Sequence, residues 1–107
     1  IPPNSFVLGE SIEAFHMPDD VLAICLGKST LARCAKIVNV TPLEPGWRGK
    51  LTMEVSNTSP LPLKMYCGEG IAQLLFFRTP KRPERTYQDT ANAKYQDQSG
   101  LTVSKVD

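Results

Sequence analysis

At 107 residues the chain can hold one domain at most, near the size at which a single apolar core only just outweighs chain entropy, so burial between copies would help it. Its 12 Lys+Arg against 11 Asp+Glu nearly cancel, which excludes a chain-wide pull toward nucleic acid or anionic membrane and leaves phosphate recognition to local basic positions. No apolar run approaches the roughly 18 residues of a membrane-spanning helix and no secretion signal is visible, so a soluble cytoplasmic protein is expected.

Nine Pro and seven Gly cut the sequence into short pieces rich in Val, Ile, Leu, Phe and Thr, a pattern that predicts an all-β fold. The opening Ile1-Pro2-Pro3-Asn4-Ser5-Phe6 has no initiator Met and reads like the middle of a longer protein. Residues 5–15 are predicted as one or two extended pieces, and Pro18-Asp19-Asp20 supplies a turn. Residues 21–26 form an apolar run suited to a buried strand that Gly27 ends. Ser29, a good N-cap, then opens one helical turn through Arg33.

Residues 37–41 read as another strand, followed by a rigid connection with two prolines over residues 42–46. In Leu51-Thr52-Met53-Glu54-Val55-Ser56 the alternation places Leu51, Met53 and Val55 on one face and Thr52, Glu54 and Ser56 on the other. Asn57-Thr58-Ser59-Pro60 is a turn, residues 61–67 a further strand, Gly68-Glu69-Gly70 another turn, and residues 71–77 a last apolar strand. The predicted division is a β core over residues 1–80 and a polar arm over residues 81–107, too poor in large apolar groups to fold by itself and expected to be ordered by ligand or partner.

Cys25, Cys34 and Cys67 are odd in number and widely spaced, which argues for core positions in a reducing compartment and against a disulfide framework. His16 is the one histidine, and it suits a strand end or turn better than a metal ligand. No Pro-Cys-x-x-Cys segment is present to complete a zinc site with a His or Cys near a Glu, so no zinc and no metal held by protein side chains is expected.

Three segments can carry chemistry. Gly27-Lys28-Ser29-Thr30 looks like the end of a P-loop, but the glycine that motif needs five residues earlier is Leu22. What remains is a strand end with backbone N–H groups, two hydroxyls and the cations Lys28 and Arg33, which could be a triphosphate cradle or a solvated surface turn. Pro45-Gly46-Trp47-Arg48-Gly49 leads into Glu54, a strand carboxylate suited to shuttling a proton or simply facing solvent. The third segment comprises Tyr87 and the run from Lys94 to Thr102, an arm with a ring, a cation and amides that could close over a base, or a disordered polar tail.

Taken together, the order and spelling of these segments resemble the dCTP deaminase family of the dUTPase-like superfamily. The resemblance rests on Gly27-Lys28-Ser29-Thr30-Leu31-Ala32-Arg33, Val38-Asn39-Val40-Thr41-Pro42, the Pro45 to Gly49 motif through Glu54, Ser56-Asn57-Thr58, Gly70-Ile71-Ala72-Gln73, Tyr87, Ala93-Lys94-Tyr95 and Gln98-Ser99-Gly100. It implies an all-β distorted jelly roll, a dUTPase-like β-barrel, incomplete here at the N-terminus. It further implies hydrolytic deamination of dCTP to dUTP and ammonia without metal activation of water, supplying dUTP toward dTTP synthesis.

By that resemblance Glu54 is the general base and then acid, Ser29 positions the water or amino group, and Arg33 supplies fixed positive charge. Lys28, Ser29, Thr30, Leu31, Ala32 and Arg33 would hold the triphosphate. Thr52, Met53 and Glu54 would line the pyrimidine, and Gln73, Tyr87, Lys94 and Gln98 would complete the nucleotide contacts. Mg2+ is expected to be bound through the substrate triphosphate. Homotrimers with intersubunit sites are implied, with dTTP as a candidate feedback ligand and no nucleic-acid or membrane partner. Relatives usually carry glycine where this chain has Ala35, and a left-handed backbone there would cost an alanine on the order of 1 kcal/mol.

Two other readings compete with this one: a bifunctional enzyme that also cleaves the triphosphate to give dUMP, or an inactive truncated nucleotide-binding or assembly module. A plain dUTPase fits less well, because its glycine-rich closing motif is missing and the end reads Gly100-Leu101-Thr102-Val103-Ser104-Lys105.

Overall fold

The computed structural model describes residues 1–81, 84–87 and 94–105. Over the described residues the all-β expectation holds: β1 (Phe6–His16), β2 (Val21–Gly27), β3 (Lys36–Val38), β4 (Thr41–Leu43), β5 (Arg48–Asn57) and β6 (Ala72–Arg78), with one short helix, α1 (Ser29–Ala32). The strands make two antiparallel three-stranded sheets, in the orders β1-β5-β3 and β4-β2-β6, and no closed barrel forms among the described residues.

β1 is one long strand whose register against β5 slips between Glu10 and Ala14. There the buried Ser11 hydroxyl accepts the Leu51 N–H at 2.8 Å and donates to the Glu13 carbonyl at 2.8 Å. The side chain thus satisfies a ladder amide that the irregular register leaves without a backbone partner. β2 is central in its sheet, but only Ala23 and Cys25 are fully buried; Leu22, Ile24 and Leu26 on its other face are half-buried. Its continuous apolar run therefore overstates its burial, because one face lacks a covering layer.

Ala23 and Cys25 join Met17, Leu43, Trp47 and Leu51 in the core, and Met53, Leu74 and Tyr87 pack against it. On β5 the alternation is as expected, with Leu51 and Val55 buried.

Three local expectations are corrected. The stretch 37–41 is not one strand: β3 pairs with β5, β4 pairs with β2, and the chain passes from one sheet to the other at Asn39 and Val40. The residue preceding α1 is Lys28, not Ser29, and it makes no side-chain cap; Ser29 is already helical, and its carbonyl accepts the Arg33 N–H at 3.0 Å. Residues 61–67 form no strand; with Pro60 and Pro62 lacking N–H donors, only Leu63 pairs, through its N–H and carbonyl, with Ile1.

That irregular loop is fixed from below by Asn57, 2% exposed, whose Nδ2 donates to the carbonyls of Ile1, Pro2 and Leu61. The backbone at Ala35 is left-handed, with φ 64°. Its carbonyl accepts from both the N–H and the hydroxyl of Thr58, which holds the turn in that conformation.

Candidate functional site

β5 emerges from the Pro45–Gly46 turn beside the core and carries Thr52 and Glu54 into a cavity of about 660 Å3. Phe6, Leu43, Trp47 and Leu51 supply much of its apolar wall. Thr41, Tyr87, Gln98 and Thr102 add polar groups, so the cavity has the size and mixed lining of a small-molecule site. The chain's switch between sheets brings Thr41 over β5, where its hydroxyl donates to Glu54 Oε2 at 3.4 Å. The Asn39 N–H donates to the Glu54 carbonyl at 3.0 Å, pinning the backbone that presents the carboxylate.

The charge of Glu54 is felt inside the core: burial pushes the Cys25 thiol up, and the nearby Glu54 carboxylate adds to that shift. Burial likewise pushes the Tyr87 hydroxyl up, partly offset by the Tyr95 N–H that donates to it at 2.6 Å.

Four sequence-predicted residues therefore meet at one cavity: Thr52, Glu54, Tyr87 and Gln98. The side chain of Met53 packs against the core instead, and its backbone is paired with Gly9 of β1. Lys28, Ser29, Thr30, Leu31, Ala32 and Arg33 lie on and around α1, beyond the end of β2, and none of them lines the cavity. Lys28 donates to the Gly70 carbonyl at 3.2 Å, while Ser29, Thr30 and Arg33 are exposed. Gln73 is exposed on β6 opposite Leu26, and Lys94 is exposed with its carbonyl accepting from Lys105 Nζ at 2.6 Å. In the single chain, the carboxylate cavity and the cation-bearing turn are thus separate features.

Sequence reasoning missed Thr41 as the partner of Glu54, because the contact depends on the chain changing sheets between β3 and β4. It also left Tyr95, Gln96 and Asp97 without individual roles. In the fold Gln96 Oε1 accepts the Arg48 N–H at 2.6 Å, and the Arg48 guanidinium reaches both Asp97 oxygens at 2.7 and 2.9 Å. The Arg48 guanidinium holds the Asp97 carboxyl below its ordinary value of 3.8, and His16, paired across from Arg48, adds positive charge. Opposite charges 49 residues apart carry no local signal of being partners.

Among the described residues no three or more His, Cys, Asp or Glu side chains gather as a metal site. Among the described residues no helix is long and apolar enough to cross a membrane.

Comparison with known proteins identifies relatives. A family described as dCTP deaminase-like matches residues 1–79. A dCTP deaminase of Campylobacter concisus is 59% identical over 106 residues, covering 99% of this chain and 56% of that protein. That of Erythrobacter litoralis is 58% identical over 106 residues, covering 99% and 57%, and that of Sulfurovum sp. is 57% identical over 106 residues, covering 99% and 56%. The chain spans about half the length of the curated relatives it matches.

Proposed function

Because the chain belongs to the dCTP deaminase-like family, we propose that it provides the catalytic part of an enzyme that hydrolyses dCTP to dUTP and ammonia. The observation that carries this reading is the Glu54 carboxylate, which faces a half-open, largely apolar cavity and accepts a hydrogen bond from Thr41. In the proposed reaction Glu54 takes a proton from water as its oxygen bonds to C4 of the cytosine ring, and the ring nitrogen N3 gains a proton. A second transfer through Glu54 protonates the amino group, the C4–N bond breaks, and ammonia leaves as the C4 carbonyl forms. Thr52, Tyr87 and Gln98 border the same space and would hold the base and sugar.

The turn from Lys28 to Arg33 would hold the triphosphate, with magnesium travelling as part of the substrate. Since that turn does not line the cavity of its own chain, the reading favours a site shared between copies, in which Ser29 and Arg33 of one protomer meet Glu54 of its partner. A trimer would supply this arrangement. The product dUTP would feed dTTP synthesis, and dTTP binding at the same turn would inhibit.

The direct test is ammonia release from dCTP, with pyrophosphate followed in parallel. Unaltered protein should release ammonia without pyrophosphate. Glu54→Gln should keep nucleotide binding and lose roughly 100-fold or more in turnover, since it removes the proton shuttle and little else. Equal loss of binding and turnover would remove Glu54 from the assigned role.

A further inference from the structure

The Pro45-Gly46-Trp47-Arg48-Gly49 segment leads into the strand that bears Glu54, yet its contacts point elsewhere. Each of its five residues meets the last part of the chain. The Pro45 carbonyl accepts the Tyr87 N–H at 2.8 Å, and the Gly46 carbonyl accepts Gln96 Nε2 at 3.0 Å. Trp47 Nε1 donates to the Tyr95 carbonyl at 2.6 Å. Arg48 engages Gln96 through its N–H and Asp97 through its guanidinium, while its carbonyl accepts the Asp97 N–H at 2.7 Å. Gly49 forms a parallel bridge with Gln98, which the next residue extends: Lys50 N–H donates to the Gln98 carbonyl, and Gln98 Nε2 donates to the Lys50 carbonyl.

The two glycines explain why the approach is so close. Gly46 has φ +80°, and a Cβ there would stand 2.9 Å from the Thr86 hydroxyl oxygen. At Gly49, φ is +143° and a Cβ would stand 2.9 Å from both the backbone N and O of Gln98. Any side chain at position 49 displaces the tail backbone. These positions need glycine for both their backbone angles and the space beside them.

We propose that residues 45–49 are a docking strip for the chain's own tail, holding residues 95–98 in place before any nucleotide arrives, and that Arg48, Gln96 and Asp97 are positioning residues that set nucleotide affinity. The docking stands on contacts that need no ligand. The kinetic consequence rests on the function proposed above, because the docked tail brings Gln98 and Thr102 to the border of the cavity. If docked and released tails exchange and only the docked form binds well, apparent affinity scales with the docked fraction, whereas saturating nucleotide restores closure. Loss of docking therefore raises KM and spares kcat.

No single contact dominates. The Arg48–Asp97 pair is largely solvated, its side chains 39% and 60% exposed, so removing it alone should shift docking only roughly two- to fivefold. Gly49→Ala opposes the whole strip and should shift it by roughly tenfold or more.

The test is hydrogen exchange on the ligand-free 107-residue chain. The Lys50 amide is bonded across the strip to the Gln98 carbonyl and the Tyr95 amide to the hydroxyl of Tyr87, which Pro45 holds, while the Asn57 amide, bonded to the Ser5 carbonyl, reports on the β1–β5 sheet away from the tail. Protection at Lys50 and Tyr95 should fall in Gly49→Ala and, less, in Asp97→Ala, with Asn57 unchanged. The charge exchange Arg48→Asp with Asp97→Arg should recover part of what Asp97→Ala loses.

Unprotected Lys50 and Tyr95 amides in the unaltered ligand-free chain would overturn the proposal, as would equal protection in Gly49→Ala. Protection of the unaltered chain that disappears on dilution would also overturn it, by showing that the strip receives another copy's tail. In the kinetic arm, Gly49→Ala should raise KM for dCTP roughly tenfold with kcat within about twofold. A chain that protects these amides but releases no ammonia from dCTP would retain the docking strip and lose the deaminase reading.

Discussion

The segment 45–49 and the turn from Lys28 to Arg33 both stand out in the sequence, and the fold treats them in opposite ways. In the first, backbone and side-chain polar groups are taken up by the tail, through the Tyr87, Tyr95, Gln96, Asp97 and Gln98 contacts. In the second, the hydroxyls of Ser29 and Thr30 make no hydrogen bond among the described residues, and no described carboxylate pairs with Lys28 or Arg33. Polar groups satisfied within a fold fix positions, whereas solvated cations and hydroxyls stay available to an anion. The difference assigns positioning to one segment and ligand recognition to the other, although both are short and basic.

The sharpest way to break that division is at the cavity. Glu54→Gln, with its roughly 100-fold or larger loss of turnover, should far exceed the effect of any change on the docking strip, as measured by ammonia release at saturating dCTP.

Next comes Lys28→Ala, which should raise Kd for the triphosphate roughly tenfold and leave affinity for the nucleoside unchanged, in a binding titration with both ligands. A nucleoside affected as strongly would take Lys28 out of phosphate recognition.

Acid should loosen the strip before it affects the turn. Asp97 is held below 3.8 by its hydrogen bond to Arg48, so docking draws on its charged form. That contribution is complete well above pH 3.8 and is lost as pH falls through the lower value of the docked state. Exchange at Lys50 should therefore quicken, beyond its intrinsic pH dependence, as the medium is acidified through this range, and Asp97→Ala should remove the effect.

The smallest expected change is at Ala35, where φ 64° strains an alanine. Ala35→Gly should stabilise the chain by on the order of 1 kcal/mol in a denaturant titration without altering either segment's function.

Much of this organisation could be read from the sequence where its causes are local. The alternation in β5 places Leu51 and Val55 inside and directs Thr52 and Glu54 to the cavity. What escaped depends on distant partners. The stretch 37–41 splits because its two ends find edges on different sheets, and residues 61–67 stay irregular because only Ile1 offers Leu63 a partner. The polar tail looked unable to hold itself in place; Tyr87 packs against the core, and a glycine-lined strip some 45 to 50 residues earlier supplies the hydrogen bonds.

The most direct test of the division of labour is complementation. Glu54→Gln and Arg33→Ala chains are each assayed for ammonia release from dCTP, then mixed, allowed to exchange subunits and assayed again. If the carboxylate cavity and the cation-bearing turn are halves of one site contributed by different copies, the mixture recovers activity that neither parent has. A mixture as inactive as its parents, beside an active unaltered chain, would contradict the shared site.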